Sequence, residues 1–356
     1  MTLKDTLFEL CSLVGVGGFE KEIRQWILEQ ARPYADEIRT DKLGNLMVYR
    51  KGIRHPDTPL AFFAHMDEPG LLVKKITKDG MLQLMGSMPA KSIIGKQLAI
   101  QGLNGPVYGV CGMKADHLQT AEEQKKTPQL SRLLVDIGCT CEEEARKLVR
   151  EGNMAVPLVE AELLGGGSMM TGRGLASRAG CAVLLELLKE KPACDCWFVF
   201  TVSGENWDRV PGKGAIPAVR QLNPGLAVML HAADTGEGPG VSEEDVNCRC
   251  GQGAAISLMD GDFVFERRIR QMVTDEADRQ GIRWQFHKSG MQVTGAGHLA
   301  SGKDGCVLLP VNLPVRYLKA SAGVCSLEDL SSMAAVCRIV MDKAEICAGI
   351  SEEFKE

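Results

Sequence analysis

The chain has 356 residues, 45% hydrophobic and 24% charged, with 41 Lys and Arg against 46 Asp and Glu for a net charge of −5. That length and composition describe a globular chain of about two domains at ~150 residues each and exclude disordered and fibrous architectures. No run approaches the ~20 apolar residues of a membrane span, no secretory leader opens the chain, and mild acidity offers no field for a phosphate backbone. Membrane and nucleic acid are therefore excluded as partners, and the chain is placed in the cytoplasm. The 13 cysteines are odd in number and spread along the chain, so they read as reduced thiols. Cys139/Cys141, Cys194/Cys196 and Cys248/Cys250 form C-x-C pairs, which lack the C-x-x-C spacing of a zinc ribbon.

In chain order, helical spacing predicts helices over Leu3 to Leu13 and Glu20 to Ala31, separated by Gly15-Val16-Gly17-Gly18. Leu43 to Tyr49 and Leu60 to Ala64 read as strands, the second apolar on both faces and so central in a sheet. From Pro69 to Pro157 short β-rich segments are punctuated by glycines, the texture of a small barrel or sandwich closed by a helix over Glu142 to Arg150. The polar stretch Thr120 to Ser131 reads as an exposed loop or helix. Beyond it, helices over Ala179 to Glu190, Gly214 to Gln221 and Phe263 to Gln280 alternate with strands Trp197 to Val202, Leu226 to Leu230 and Val307 to Leu313. That rhythm predicts an α/β fold, a three-layer α/β/α domain on a mostly parallel sheet (1–68 and 158–356) interrupted by the β-rich domain 69–157. A last helix, Leu327 to Cys347, has Ser326 as N-cap and Asp329 as the capping-box carboxylate.

Ligands of open α/β sheets gather beyond the carboxyl ends of the strands. There the sequence places His65-Met66-Asp67-Glu68, Ser203-Gly204-Glu205, His231 and Arg316-Tyr317-Leu318-Lys319. Either these residues converge as an ionisable pocket or they are ordinary polar strand ends. His55, His117, His287 and His298 have no evident partner. A serine elbow, H-E-x-x-H, a Walker loop and a dinucleotide fingerprint after a strand are all missing.

The segment Ala64-His65-Met66-Asp67-Glu68-Pro69-Gly70 resembles the A-H-x-D-E-x-G signature of the glutamyl-aminopeptidase/endoglucanase-M-like metallopeptidases, the tetrahedral TET type. Gly17-Gly18-Phe19-Glu20, Asp41-Lys42-Leu43-Gly44-Asn45, Arg178-Ala179-Gly180 and Pro314-Val315-Arg316-Tyr317 extend the resemblance over nearly the whole chain. It implies a peptidase domain interrupted by a β-rich dimerisation domain, a dimer-based homo-oligomer reaching a dodecamer, and removal of N-terminal residues by two divalent metals sharing an Asp and a water.

Transferred residue by residue, the resemblance keeps the first histidine as His65, its orienting aspartate as Asp67, a metal-binding glutamate as Glu205, and Arg178, Arg316 and Tyr317 in the cleft. The bridging aspartate becomes Ala176, the general base Gly204, a further aspartate ligand His231, and the final histidine Lys319. Two divalent ions ~3.5 Å apart repel by roughly 19 kcal/mol at an effective dielectric of ~20, so the lost bridging anion is decisive. Loss of the general base costs a further ~10²- to 10⁴-fold.

Three readings follow. The first is a pseudoenzyme without a cofactor, binding a peptide or small amine, with Lys319 pairing Glu205 in place of a metal. The second is a remodelled hydrolase holding one divalent metal (zinc, cobalt or manganese) at His65, His231 and Glu205. The third is a structural subunit that co-assembles with an active homologue.

Overall fold

The computed structural model describes residues 1–205, 212–261, 263–288, 294–301, 303 and 305–343. The chain divides into two compact units, 1–68 with 161–318 and 323–356, and 69–160 with 319–322. The last barrel strand ends at Pro157.

In the first unit the described residues form an 11-stranded sheet. Its centre is parallel: Cys196–Thr201 beside Leu60–His65, then Leu226–Asp234, then Val307–Arg316. Its flanks are antiparallel, through Leu46–Arg50 and Glu37–Thr40 on one side and Gly323–Ser326, Met169–Gly172 and Glu162–Leu164 on the other. The sheet is therefore mixed rather than mostly parallel. Alternation along the Leu60–His65 strand divides its side chains between two apolar layers. Leu60, Phe62 and Ala64 pack with the helices Leu3–Ser12, Leu175–Leu187 and Leu327–Asp342, and Ala61 and Phe63 pack with Ala215–Leu222. This is the three-layer arrangement expected.

Element ends differ from the sequence reading where a local contact decides them. The helix expected from Ala179 begins at Leu175, because Gly174 takes a left-handed backbone (φ 66°) that turns the chain into its first turn. The helix expected from Phe263 begins at Arg267, with Phe263–Val264 in a short strand pair and Glu266 capping the N–H groups of Arg268 and Ile269. Ser326 caps the last helix as expected, but Asp329 does not close the capping box. Its carboxylate accepts from the N–H groups of Gly251 (2.6 Å) and Gly253 (2.7 Å) instead. The expected extension of that helix to Cys347 lies outside the described residues beyond 343.

The second unit is a closed six-strand antiparallel barrel, Leu71–Ile76, Leu82–Gly86, Gln97–Gln101, Pro106–Gly112, Leu134–Asp136 and Met154–Pro157. Leu71, Val73, Leu82, Leu98, Ile100 and Val135 fill it. The helix Glu142–Leu148 follows the expected span, and the 120–131 stretch contains the short helix Ala121–Lys125. No described helix is long and apolar enough to cross a membrane.

In the first unit's core, Phe62 is fully buried and stacks on Phe198 at 5.7 Å between ring centroids. Phe62→Ala is expected to destabilise the protein by about 3–5 kcal/mol in a denaturant titration, the usual cost of a large cavity at a well-packed site.

Candidate functional site

The ends of two adjacent parallel strands build the site. As the Leu60–His65 strand ends, His65 stays buried in the sheet and Asp67 is carried into the interior. As Cys196–Thr201 ends, Ser203 adopts a left-handed backbone (φ 51°) and turns the next two N–H groups toward Asp67. Gly204 N–H donates to Asp67 Oδ1 at 2.7 Å and Glu205 N–H to Oδ2 at 2.9 Å. His65 Nδ1 stands 3.4 Å from Asp67 Oδ1, an ion-pair contact outside hydrogen-bond geometry, and both ring nitrogens are buried without a hydrogen-bond partner. Burial opposes charge on both groups. The paired charges outweigh it, so His65 is raised above the ordinary imidazole value and Asp67 is lowered, the latter aided by the Glu205 and Gly204 N–H groups.

A second carboxylate fixes the turn. Glu20 accepts from Ser203 N–H (3.1 Å) and Gly18 N–H (3.0 Å), and burial followed by the Asp67 charge raises its pKa. Asn45 locks the same segment, accepting from Val202 N–H and donating to Gly214 carbonyl oxygen at 2.8 Å. These two residues belong to the Gly17-to-Glu20 and Asp41-to-Asn45 segments that carried the family resemblance.

Gly204 is the tightest point of the site. A side chain there would place its first carbon 2.2 Å from His65 Cβ and 2.4 Å from Cγ. The imidazole thus lies directly over the glycine, in space that any other residue would need.

On the other side of His65, the His231 ring stacks at 4.9 Å and 24°. Burial and the neighbouring His65 push His231 down to about 3, so it is neutral at ordinary pH. In register, Thr201 pairs with His65 and His231 with Asn312. Asn312 Nδ2 donates to Ser257 Oγ at 2.9 Å, and Ser257 Oγ meets His287 Nδ1 at 3.2 Å. A polar row therefore runs across adjacent strands on one face of the sheet. Asn312 Oδ1 and His287 Nε2 are buried in it without hydrogen-bond partners, and burial holds His287 below its ordinary value.

The remaining expected residues are distributed as follows. Ala176 lies in the first turn of Leu175–Leu187 within the apolar cluster. Arg178, fully buried on the same turn, donates to Met66 carbonyl oxygen and, at 3.1 Å, to Glu68. Glu68 also receives Arg173 at 2.9 Å and Gly15 N–H at 3.1 Å, a buried charge group that sequence reasoning missed. Glu205 is half-buried, and its charge acts on His65. Arg316 pairs with Glu237 at 3.2 Å, and Tyr317 is exposed with φ 58°. Lys319 is exposed, which removes burial as a reason for it to pair with Glu205. Among the described residues no group of three or more His, Cys, Asp or Glu side chains is arranged to hold a metal ion.

The missed members of the polar row were signalled only weakly: Asn312 is the one polar residue inside an otherwise apolar strand, and His287 has a partner 30 positions away.

The profile of the M42 glutamyl aminopeptidases matches residues 44–336. The chain belongs to that family. It is 31% identical over 335 residues to a protein of Acetivibrio thermocellus that carries a provisional aminopeptidase name, covering 92% of this chain and 95% of that one. Among solved structures, the aminopeptidase of Desulfurococcus kamchatkensis is similar with a TM-score of 0.92 at 26% identity, covering 99% of both chains. The TET1 peptidase of Pyrococcus horikoshii, described as able to assemble into a tetrahedron or a large octahedral shell, is similar with a TM-score of 0.83 at 26% identity, covering 96% of this chain and 100% of that one.

The His65–Asp67 pair generates a pH prediction. His65 is raised, so its contribution is complete below an ordinary imidazole pKa near 6.5 and is lost as pH rises through the folded value. Asp67 is lowered, so its contribution is present above a carboxylate value near 3.8 and is lost as pH falls through the folded value. Asp67→Asn should therefore cost about 3 kcal/mol in denaturant titrations between those limits, with a smaller difference on either side. It should also lower the His65 pKa followed by NMR.

Proposed function

We propose that this M42 family member keeps the peptidase fold as a binding site for a peptide N-terminus or small amine and does not perform two-metal hydrolysis. The observation that carries this reading is Gly204 beneath the His65 ring. The position that the family resemblance assigns to the general base has no side chain, and its space is filled by a buried imidazole pinned to Asp67. Ala176 leaves apolar surface where two cations would need a shared anion. His231, neutral and stacked on His65, supplies no counter-charge. Glu205 is half-buried, and its carboxylate has the charge that an ammonium group pairs with.

The test pairs a panel of aminoacyl anilides, assayed with zinc, cobalt or manganese present, with calorimetric titration of short peptides bearing free or acetylated N-termini. The expected results are no turnover above the buffer blank and binding that acetylation weakens. Metal-dependent turnover at a rate typical of peptidases would refute the reading. Gly204→Glu is expected not to create activity, because the new side chain collides with His65, and to lower the melting temperature.

A second reading has one specific support. His65 Nε2 is buried without a hydrogen-bond partner, and His231 lies beside it, so a single divalent ion would satisfy that nitrogen if Glu205, which does not form a metal-holding group with the two histidines here, moved toward them. His231→Ala would then remove both the metal and any activity. The assemblies described for the P. horikoshii relative extend to this chain as an expected dimer-based homo-oligomer, tested by light scattering.

A further inference from the structure

The barrel unit carries a cavity of about 680 Å³ unrelated to the residues above. It is lined by the helix Ala90–Ile93, the exit of strand Pro106–Gly112, the helix Ala121–Lys125 and the turn Leu130–Arg132. Among the described residues its charged lining is Lys91, Lys114, Lys125, Lys126, Arg132 and a single carboxylate, Glu123. A chain with net charge −5 thus gathers, among its described residues, five cations against one anion around one concavity.

The carboxylate is already committed. Glu123 closes the capping box of its helix with Thr120 and accepts Lys114 Nζ at 2.9 Å, and it is pulled down to about 2. Lys126 has its own partner, Glu122, at 3.5 Å. Lys91, Lys125 and Arg132 have no carboxylate partner among the described residues, and they come from three different elements. Leu133, buried, gives the cavity an apolar floor. Its volume falls in the range of small-molecule sites, and it is open to solvent on one side.

We infer that this cavity binds a small molecule carrying several anionic groups, phosphate or carboxylate, with Lys91, Lys125 and Arg132 as the groups that neutralise it. Arg132 offers a paired donor fork to one oxyanion, and the lysines act as point charges on the others. Because the cations are exposed, binding weakens with ionic strength. The cavity shares no lining residue with the Asp67–His65 centre, and the inference stands whether or not that centre hydrolyses peptides.

The experiment titrates the full-length protein with inorganic tripolyphosphate and, separately, with citrate, by calorimetry and thermal shift at 50 and 300 mM NaCl. The expected result is one ligand per chain, a raised melting temperature and weaker binding at the higher salt. The triple variant Lys91→Ala/Lys125→Ala/Arg132→Ala should lose at least tenfold in affinity with an unchanged circular dichroism spectrum. Arg132→Gln alone serves if the triple variant does not fold. Response to tripolyphosphate alone assigns a phosphorylated ligand, and response to citrate assigns a polycarboxylate. If neither probe binds, if the variants bind as the wild type does, or if Lys51→Ala/Lys191→Ala outside the barrel weakens binding equally, the inference is wrong.

Discussion

One buried carboxylate organises the first unit. Asp67 accepts the N–H groups of Gly204 and Glu205 and faces the charge on His65, so a single side chain ties together the ends of two parallel strands. Burying that charge is expensive unless every lone pair is used, and each neighbouring feature serves the requirement. Ser203 accepts a left-handed backbone to aim the two N–H groups, Glu20 and Asn45 hold the turn in that state, and Gly204 leaves room for the imidazole. The pair contributes stability across mildly acid to neutral pH because His65 is raised and Asp67 lowered.

In the proposed reading, the same constraint separates this chain from two-metal hydrolysis. A fold that the M42 profile and the D. kamchatkensis structure share with it is specified by apolar strands, helix packing and the barrel, none of which depends on a catalytic carboxylate. Fold and activity are separable for that reason. In that reading, glycine at the position that the family resemblance assigns to the general base lets His65 lie over the backbone, where it faces Asp67. On this account the centre has exchanged a reactive arrangement for a load of packing and charge pairing, which a single restoring substitution cannot reverse.

Much of the architecture was legible because strong signals were local. The apolar run Leu60 to Ala64 predicted a central strand, the glycine-punctuated stretch after Pro69 predicted the barrel, and His65, Asp67 and Gly204 stood together in one short motif or just after one strand. What sequence missed required register or distant partners. The antiparallel flanks of the sheet, the Glu68–Arg173–Arg178 group and the Asn312–Ser257–His287 row join residues from 5 (Leu164 and Met169) to 157 (Met169 and Ser326) positions apart. Asp329 was misassigned because its local role as a capping carboxylate competes with two N–H groups 76 and 78 positions away, and the distant pair wins. The exposure of Lys319 was likewise invisible to a reading based on motif position.

The most direct measurement is metal stoichiometry by elemental analysis of the purified protein after chelation, reloading with zinc, cobalt or manganese, and desalting. The account predicts less than one tightly held ion per chain, because the centre lacks a shared anion and is closed by His65 over Gly204. Two tightly held ions per chain would contradict it and restore a dinuclear peptidase as the function of this fold.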